Sequence, residues 1–174
     1  MLEHLKNDAD IAANITCILS DVDGVLTDGR IIYTGEGVEI KHFHARDGQG
    51  IKTWLQRGLQ FGIITARTGN AVIQRASDLG IQHLAQGFEE KLPAAEKMLA
   101  EMGCSFEQAC YVGDDLPDIA VMRRVALAVA PADAATDARE AAQWVTRCKG
   151  GHGAMREVIE RLLRAQGRWK EHTK

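Results

Sequence analysis

Short uninterrupted apolar runs alternate along the chain with longer stretches in which apolar residues recur every three or four positions, the pattern of strands exchanging with helices. After a short polar helix, Ile15 to Leu19 reads as a buried strand that ends in Ser20 and Asp21. Arg30 to Tyr33 and Val38 to Phe43 alternate around Thr34-Gly-Glu-Gly37, whose glycines permit the positive φ angles of a hairpin turn. Asp47 is the expected cap of a helix carrying Ile51, Trp54 and Leu55 on one face and closed by Gly58. A strand from Leu59 to Ile64 follows, then a helix from Asn70 to Leu79 stopped at Gly80, and a short strand from His83 to Ala85. The next helix has Pro93 in its first turn and runs to Met102. Ala109 to Val112 and Leu127 to Val129 read as strands, with a helix from Leu116 to Val125 between them. A helix from Ala134 to Ala142, a short strand from Trp144 to Thr146 and a helix from Ala154 to Ala165 complete the pattern.

Strands separated by helices of this length require right-handed crossovers. They predict an α/β fold of three layers, a Rossmann-like parallel sheet with helices on both faces, from which the hairpin over 30–44 projects. A chain of 174 residues fits one domain spanning 1–174.

Composition narrows the function classes. No apolar run approaches a bilayer span, and the opening MLEHLKNDADIAAN lacks the features of a secretory signal, so a cytoplasmic protein with no membrane partner is expected. With a formal net charge of −3 and no basic stripe before the short tail, nucleic acid is not an expected partner either. Cys17, Cys104, Cys110 and Cys148 show no metal-site spacing and read as free thiols of a reducing compartment.

In an open parallel sheet, ligands bind beyond the carboxyl ends of the strands. The polar residues found there are Asp21 and Asp23 after the first strand, Thr65 after the second and Gly113-Asp114-Asp115 after the fourth, with Lys91 opening a helix between. Carboxylates crowded this closely call for a cation, and oxygen ligands suit Mg²⁺. Such a metal, Lys91, the Thr65 hydroxyl and loop amides would suit a phosphoryl group, with Asp21 placed to attack it and Asp23 placed to move a proton.

Asp21-Val-Asp23-Gly-Val-Leu-Thr27, Thr65, Lys91 and Gly113-Asp114-Asp115-x-x-Asp118 together resemble the four motifs of the haloacid dehalogenase superfamily. The resemblance implies a nucleophile at Asp21, an acid and base at Asp23, and phosphate anchors at Thr65 and Lys91. It also implies Mg²⁺ held by Asp21, Asp114 and the Asp23 carbonyl, with Asp115 and Asp118 as supporting acids. Asp23 argues for a phosphatase or mutase over an ion pump or a dehalogenase. Many members insert a cap as large as a domain, whereas the intervals from Asp21 to Thr65 and from Thr65 to Lys91 are already filled by predicted elements. Water must then be excluded some other way; subunit association could do it, and a hairpin bearing Ile31, Ile32, Val38, Ile40 and Phe43 predicts an oligomer.

A closer resemblance, carried by DVDGVLTDGRI, FHARDGQGIK, ITARTG, VGDDLPDIAVM and GGHGAMREV, is to capless sugar-acid phosphate phosphatases of that superfamily. It implies a homotetramer built through the hairpins, with the tail over 150–174 reaching a neighbouring subunit. It implies as substrate the eight-carbon sugar-acid phosphate of lipopolysaccharide synthesis, with a nine-carbon counterpart as the nearest rival. Arginine grips a carboxylate bidentately, so Arg46, Arg67 and Arg156 are candidates for substrate binding, together with Gly48 and Ala66; the family often has glycine where this chain has Ala66.

Blander readings compete at several positions. His42 and His44 alternate on one strand face but have no third ligand, which favours solvated or interface histidines. Trp54 and Trp144 read as packing residues and Trp169 as a tail residue. A receiver domain also gathers acids, threonine and lysine, but its phosphate-accepting aspartate follows a later strand. A catalytically silent assembly domain has no use for the acid pair, Lys91 and Gly113-Asp114-Asp115.

Overall fold

The computed structural model describes residues 8–169. Helix α1 (Asp8–Ala12) leads into β1 (Cys17–Ser20), whose four residues are all buried, as a central strand covered on both faces requires. Ile18 joins the core on one side of the sheet, while Cys17 and Leu19 join the core on the other.

The hairpin follows as β2 (Ile32–Tyr33) and β3 (Glu39–Ile40), paired antiparallel as Ile32 with Ile40 and Tyr33 with Glu39. Pairing is shorter than the alternation predicts. Lys41 to His44 leave the ladder, because His44 turns away to cap α2 (Ala45–Gln56), its Nδ1 accepting from the Arg46 N–H at 3.2 Å. His44, and not Asp47, therefore caps α2.

The remaining elements are β4 (Gln60–Thr65), α3 (Asn70–Leu79), β5 (His83–Gln86), α4 (Lys91–Met102) and β6 (Ala109–Val112). After them come α5 (Ile119–Met122), β7 (Leu127–Ala130), α6 (Thr136–Ala141), β8 (Trp144–Val145) and α7 (Ala154–Ala165). The helix expected from Leu116 to Val125 is shorter. Its first turn, Leu116–Asp118, is a tighter 3-10 turn with Pro117 at its start, and α5 supplies only four residues more.

Six strands form one parallel sheet in the order β5-β4-β1-β6-β7-β8. Helices α2, α3 and α7 cover one face around Trp54, Phe61, Ile63 and Ile159, and α4, α5 and α6 cover the other around Leu19, Ile64, Met98 and Met122. The three-layer architecture predicted above is therefore observed. The chain builds outward from β1 through β4 and β5, then crosses to the far side of β1 for β6, β7 and β8. That reversal opens a crevice at the carboxyl ends of β1 and β6.

Helix α7 is a core helix of its own chain. Ala154, Met155, Val158, Ile159, Leu162 and Leu163 are buried on one face. Just before it, Gly151 donates from its N–H to the Val25 carbonyl at 2.9 Å. Residues 150–165 thus pack on their own subunit; residues 170–174 of the tail expected to reach a neighbour lie outside the described residues. The first turn of α7 has Gly153 in place of a capping side chain, and Asp47 of α2 supplies the missing acceptors. Its carboxylate oxygens take the Arg156 N–H at 2.8 Å and the Gly153 N–H at 3.3 Å.

Among the described residues no helix is long and apolar enough to cross a membrane. All four cysteines are free thiols; Cys17 and Cys110 are buried, whereas Cys104 and Cys148 are half-buried.

Removing the shared cap should loosen the α2–α7 contact. Asp47→Ala is expected to lower stability by about 1–3 kcal/mol, read as a reduced midpoint in urea at unchanged slope.

Candidate active site

Asp21 directly follows β1, and its N–H donates to the Val112 carbonyl of β6 at 3.0 Å, which fixes it over the crevice. One carboxylate oxygen accepts the Val22 N–H at 2.7 Å, and the other meets the Lys91 ammonium at 2.9 Å. Lys91 is the first residue of α4 and is 3 % exposed. Its Nζ also donates to Asp118 Oδ1 at 2.7 Å.

Asp118 is fully occupied. The Tyr111 hydroxyl donates to the same Oδ1 at 2.6 Å, while the Asp114 and Asp115 N–H groups donate to Oδ2 at 2.9 and 3.2 Å. Asp115 caps the turn that follows, accepting the Leu116 N–H at 2.8 Å. The two supporting acids therefore shape the loop that presents Asp114.

Oxygens of Asp21, Asp114 and Asp118 lie within 4.8 Å of one another. Four donors already fill Asp118, whereas among the described residues none donates to the Asp114 carboxylate. A cation placed here would take its oxygens from Asp21 and Asp114, with Asp118 held back by Lys91 and Tyr111. Gly24 permits the close approach of the Asp23 loop to this point, because a Cβ there would overlap Asp114 Oδ2 and its φ is +88°.

The electrostatics describe the same need. Burial pushes the Asp114 carboxyl up to about 8, reinforced by Asp21, Asp118 and Asp115, with Lys91 opposing. Burial, then Asp118, pushes Asp21 up to about 6, against the pull of Lys91 and the Val22 N–H. Burial opposes charge on Lys91, but Asp21 and Asp118 outweigh it and hold the ammonium above its ordinary value. Three acids facing one base leave negative charge that a divalent cation neutralises.

Asp23 lies apart from that cluster in its contacts. Its Oδ1 accepts from Lys41 Nζ at 2.5 Å and from the Thr27 hydroxyl at 3.4 Å. Its Oδ2 is buried with no hydrogen-bond partner among the described residues. Thr65, buried at the end of β4, accepts the Arg67 N–H at 3.4 Å, and among the described residues no acceptor takes its own hydroxyl proton. Ala66 is half-buried between them.

The candidates for substrate binding divide. Arg67 is close to Asp23, its Nε 4.0 Å from Oδ2, but its guanidinium is held by Glu39 Oε1 at 2.8 Å and by the Tyr33 hydroxyl at 2.8 Å. Arg46 and Arg156 line a separate groove of about 1000 Å³ along α7, beside His152, Glu160 and Arg164 and without any residue of the acid cluster. Arg156 there pairs with Glu160 at 3.3 Å and stacks 4.8 Å from the Trp169 ring. Gly48 packs α2 against α3, where a Cβ would strike Arg75 and crowd Leu79, so this structure gives it a packing function.

Lys41, Glu39, Tyr33 and Tyr111 escaped the sequence reading. Glu39 and Lys41 carry opposite charges two positions apart, which in an extended segment places them on one face; that was the available signal.

A haloacid dehalogenase-like hydrolase model matches residues 83–158. The 3-deoxy-D-manno-octulosonate 8-phosphate phosphatase of Yersinia pestis is 46% identical over 155 residues, which are 89% of this chain and 83% of that protein. This chain belongs to the 3-deoxy-D-manno-octulosonate 8-phosphate phosphatase family. The family member from Escherichia coli K12 is likewise 46% identical, over 92% of this chain and 85% of its own length. The family member from Moraxella catarrhalis, solved in complex with magnesium ion, phosphate ion and KDO, is similar with a TM-score of 0.90 at 37% identity, over 94% of each chain.

Metal uptake should depend on pH in a stated direction. A carboxyl raised in the fold favours folding when protonated, so the metal-free protein is expected to lose stability as pH rises through about 6 and about 8. A divalent cation must displace those protons. Its affinity is expected to rise over the same window by up to about tenfold per pH unit, and calorimetry in buffers of differing ionisation enthalpy should register the released proton.

Proposed function

We propose that this chain hydrolyses 3-deoxy-D-manno-octulosonate 8-phosphate to 3-deoxy-D-manno-octulosonate and phosphate, with Mg²⁺, in lipopolysaccharide synthesis. The names of its relatives and the magnesium, phosphate and KDO of the Moraxella catarrhalis structure support the substrate and the metal. One observation carries the chemistry: two aspartates two positions apart lie in different settings, Asp21 pinned beside Lys91 and Asp23 with one buried oxygen open.

Asp21, Asp114 and the main-chain carbonyl of Asp23 would hold the ion. Bound there, Mg²⁺ supplies positive charge to the phosphoryl oxygens and relieves the repulsion among the aspartates. Lys91 and the Thr65 hydroxyl orient the phosphoryl group, and Asp118 keeps Lys91 in place. A carboxylate oxygen of Asp21 forms a bond to phosphorus as the bond from phosphorus to the sugar oxygen breaks, and that oxygen takes a proton from Asp23. Water then attacks the aspartyl phosphate, gives its proton to Asp23 and frees phosphate, which restores Asp21 as a carboxylate. Arg67 is the nearest arginine for the substrate carboxylate, and it would exchange Glu39 for it.

The assembled enzyme is a homotetramer in this reading. Ile31, Tyr33, Val38 and Ile40 are exposed on the hairpin, an apolar surface that a two-stranded sheet cannot cover by itself. Subunit contacts there would also bring a neighbour to the mouth of the site. The reading places the enzyme in the cytoplasm.

Asp21→Asn is expected to abolish phosphate release while leaving the circular dichroism spectrum and thermal midpoint close to wild type. Against a panel of the eight-carbon sugar-acid phosphate, its nine-carbon counterpart and a hexose phosphate, the highest kcat/KM should fall on the first. A lead of about tenfold for either of the others would replace the substrate assigned here. Val38→Glu paired with Ile40→Glu is expected to convert a tetramer into smaller species in light scattering; an unchanged mass would remove the hairpin from the interface.

A further inference from the structure

Lys41 stands in the segment after β3, and its side chain keeps only 1% exposure. A lysine is costly to bury, both in lost rotamers and in lost hydration, so the fold would gain from an apolar residue unless the ammonium has a specific task. Its Nζ reaches Asp23 Oδ1 at 2.5 Å and Glu39 Oε1 at 3.4 Å. Glu39 in turn holds Arg67.

Asp23 has few other restraints. The Thr27 hydroxyl lies at the outer limit of a hydrogen bond from Oδ1, and Oδ2 has no hydrogen-bond partner among the described residues. A short aspartate side chain anchored at one oxygen can present only the other. Without the anchor, Asp23 would be free to turn either oxygen toward Arg67.

We infer that Lys41 is a positioning residue: by fixing Oδ1 of Asp23 it directs Oδ2 at the sugar oxygen that leaves phosphorus, and afterwards at the attacking water. This rests on the assignment of Asp23 as proton donor and acceptor made above. It predicts a loss confined to the proton-transfer steps. An alkyl phosphate needs a proton on its leaving oxygen, whereas p-nitrophenyl phosphate expels a stable anion and needs none.

The test measures wild type, Lys41→Met, Lys41→Arg and Asp23→Asn with Mg²⁺ on both kinds of ester. For Lys41→Met, kcat on the eight-carbon sugar-acid phosphate should fall by about a hundredfold, with KM within about threefold. Its first turnover of p-nitrophenyl phosphate should stay within about threefold of wild type and be followed by slow release of phosphate, giving a burst of about one nitrophenol per site. Lys41→Arg retains the charge needed inside the fold, and is expected to show the same selective loss in smaller size. If Lys41→Met does not fold, a wild-type ratio of alkyl to aryl rates in Lys41→Arg overturns the inference. It is also overturned by an unchanged kcat in Lys41→Met, by a loss that lies in KM, or by equal loss in the first aryl turnover. Full alkyl turnover by Asp23→Asn would instead remove the assignment of Asp23 itself, whereas an inactive Asp23→Asn beside an unimpaired Lys41→Met would remove only the part given to Lys41.

Discussion

The ammonium of Lys91, buried between Asp21 and Asp118, is the interaction on which the rest of the structure depends. A charge taken out of water is tolerable only when its partners are close and their remaining lone pairs are filled. Asp118 meets that condition with four donors, two of them main-chain N–H groups of the loop that carries Asp114. The end of β1, the loop after β6 and the first turn of α4 are thereby joined at one point, and the crevice inherits its shape from that junction.

Around it, position decides what each acid can do. Asp21 sits beside a cation and a main-chain donor with its carboxylate directed into the crevice, while Asp118, fully bonded, has no lone pair left for a ligand. Among the described residues none donates to the Asp114 carboxylate, and burial pushes it up further than it does Asp21. Asp23 belongs to a second network, with Lys41, Glu39, Arg67 and Tyr33, that ties the hairpin to the sheet. Four carboxyls of one chemical type thus acquire four different properties from their neighbours alone.

Much of this was legible beforehand. Polar residues closing buried strands identified Asp21, Thr65 and Asp114, since a parallel sheet leaves its strand ends as the place where a ligand can meet side chains from several elements. The layers and most helix limits followed from periodicity and glycine stops. What remained hidden depends on pairings distant in sequence. Asp47 looked like a local cap because the helix it serves begins more than a hundred residues later. Lys41 drew no notice in the sequence, because what buries its side chain is the contact with Asp23, eighteen positions earlier. Arg46 and Arg156 matched a ligand's chemistry, and only the packing of α2 beside α7 shows that the two line one groove together. Periodicity reports which face a residue is on, not which distant element comes to cover it.

The contact of residues 150–151 with the Asp23 loop limits which residues the crevice can accept behind it. Gly150 lies so near Gly24 that a Cβ would overlap its carbonyl oxygen, and the Gly151 amide is bonded to Val25. The loop carrying both aspartates and the segment that backs it are distant in sequence, yet they meet main chain to main chain. A single methyl at Gly150 or Gly151 would therefore push the Asp23 loop from its support, so the tolerance of the crevice to substitution is set here by how closely two backbones meet, not by any side chain that lines it.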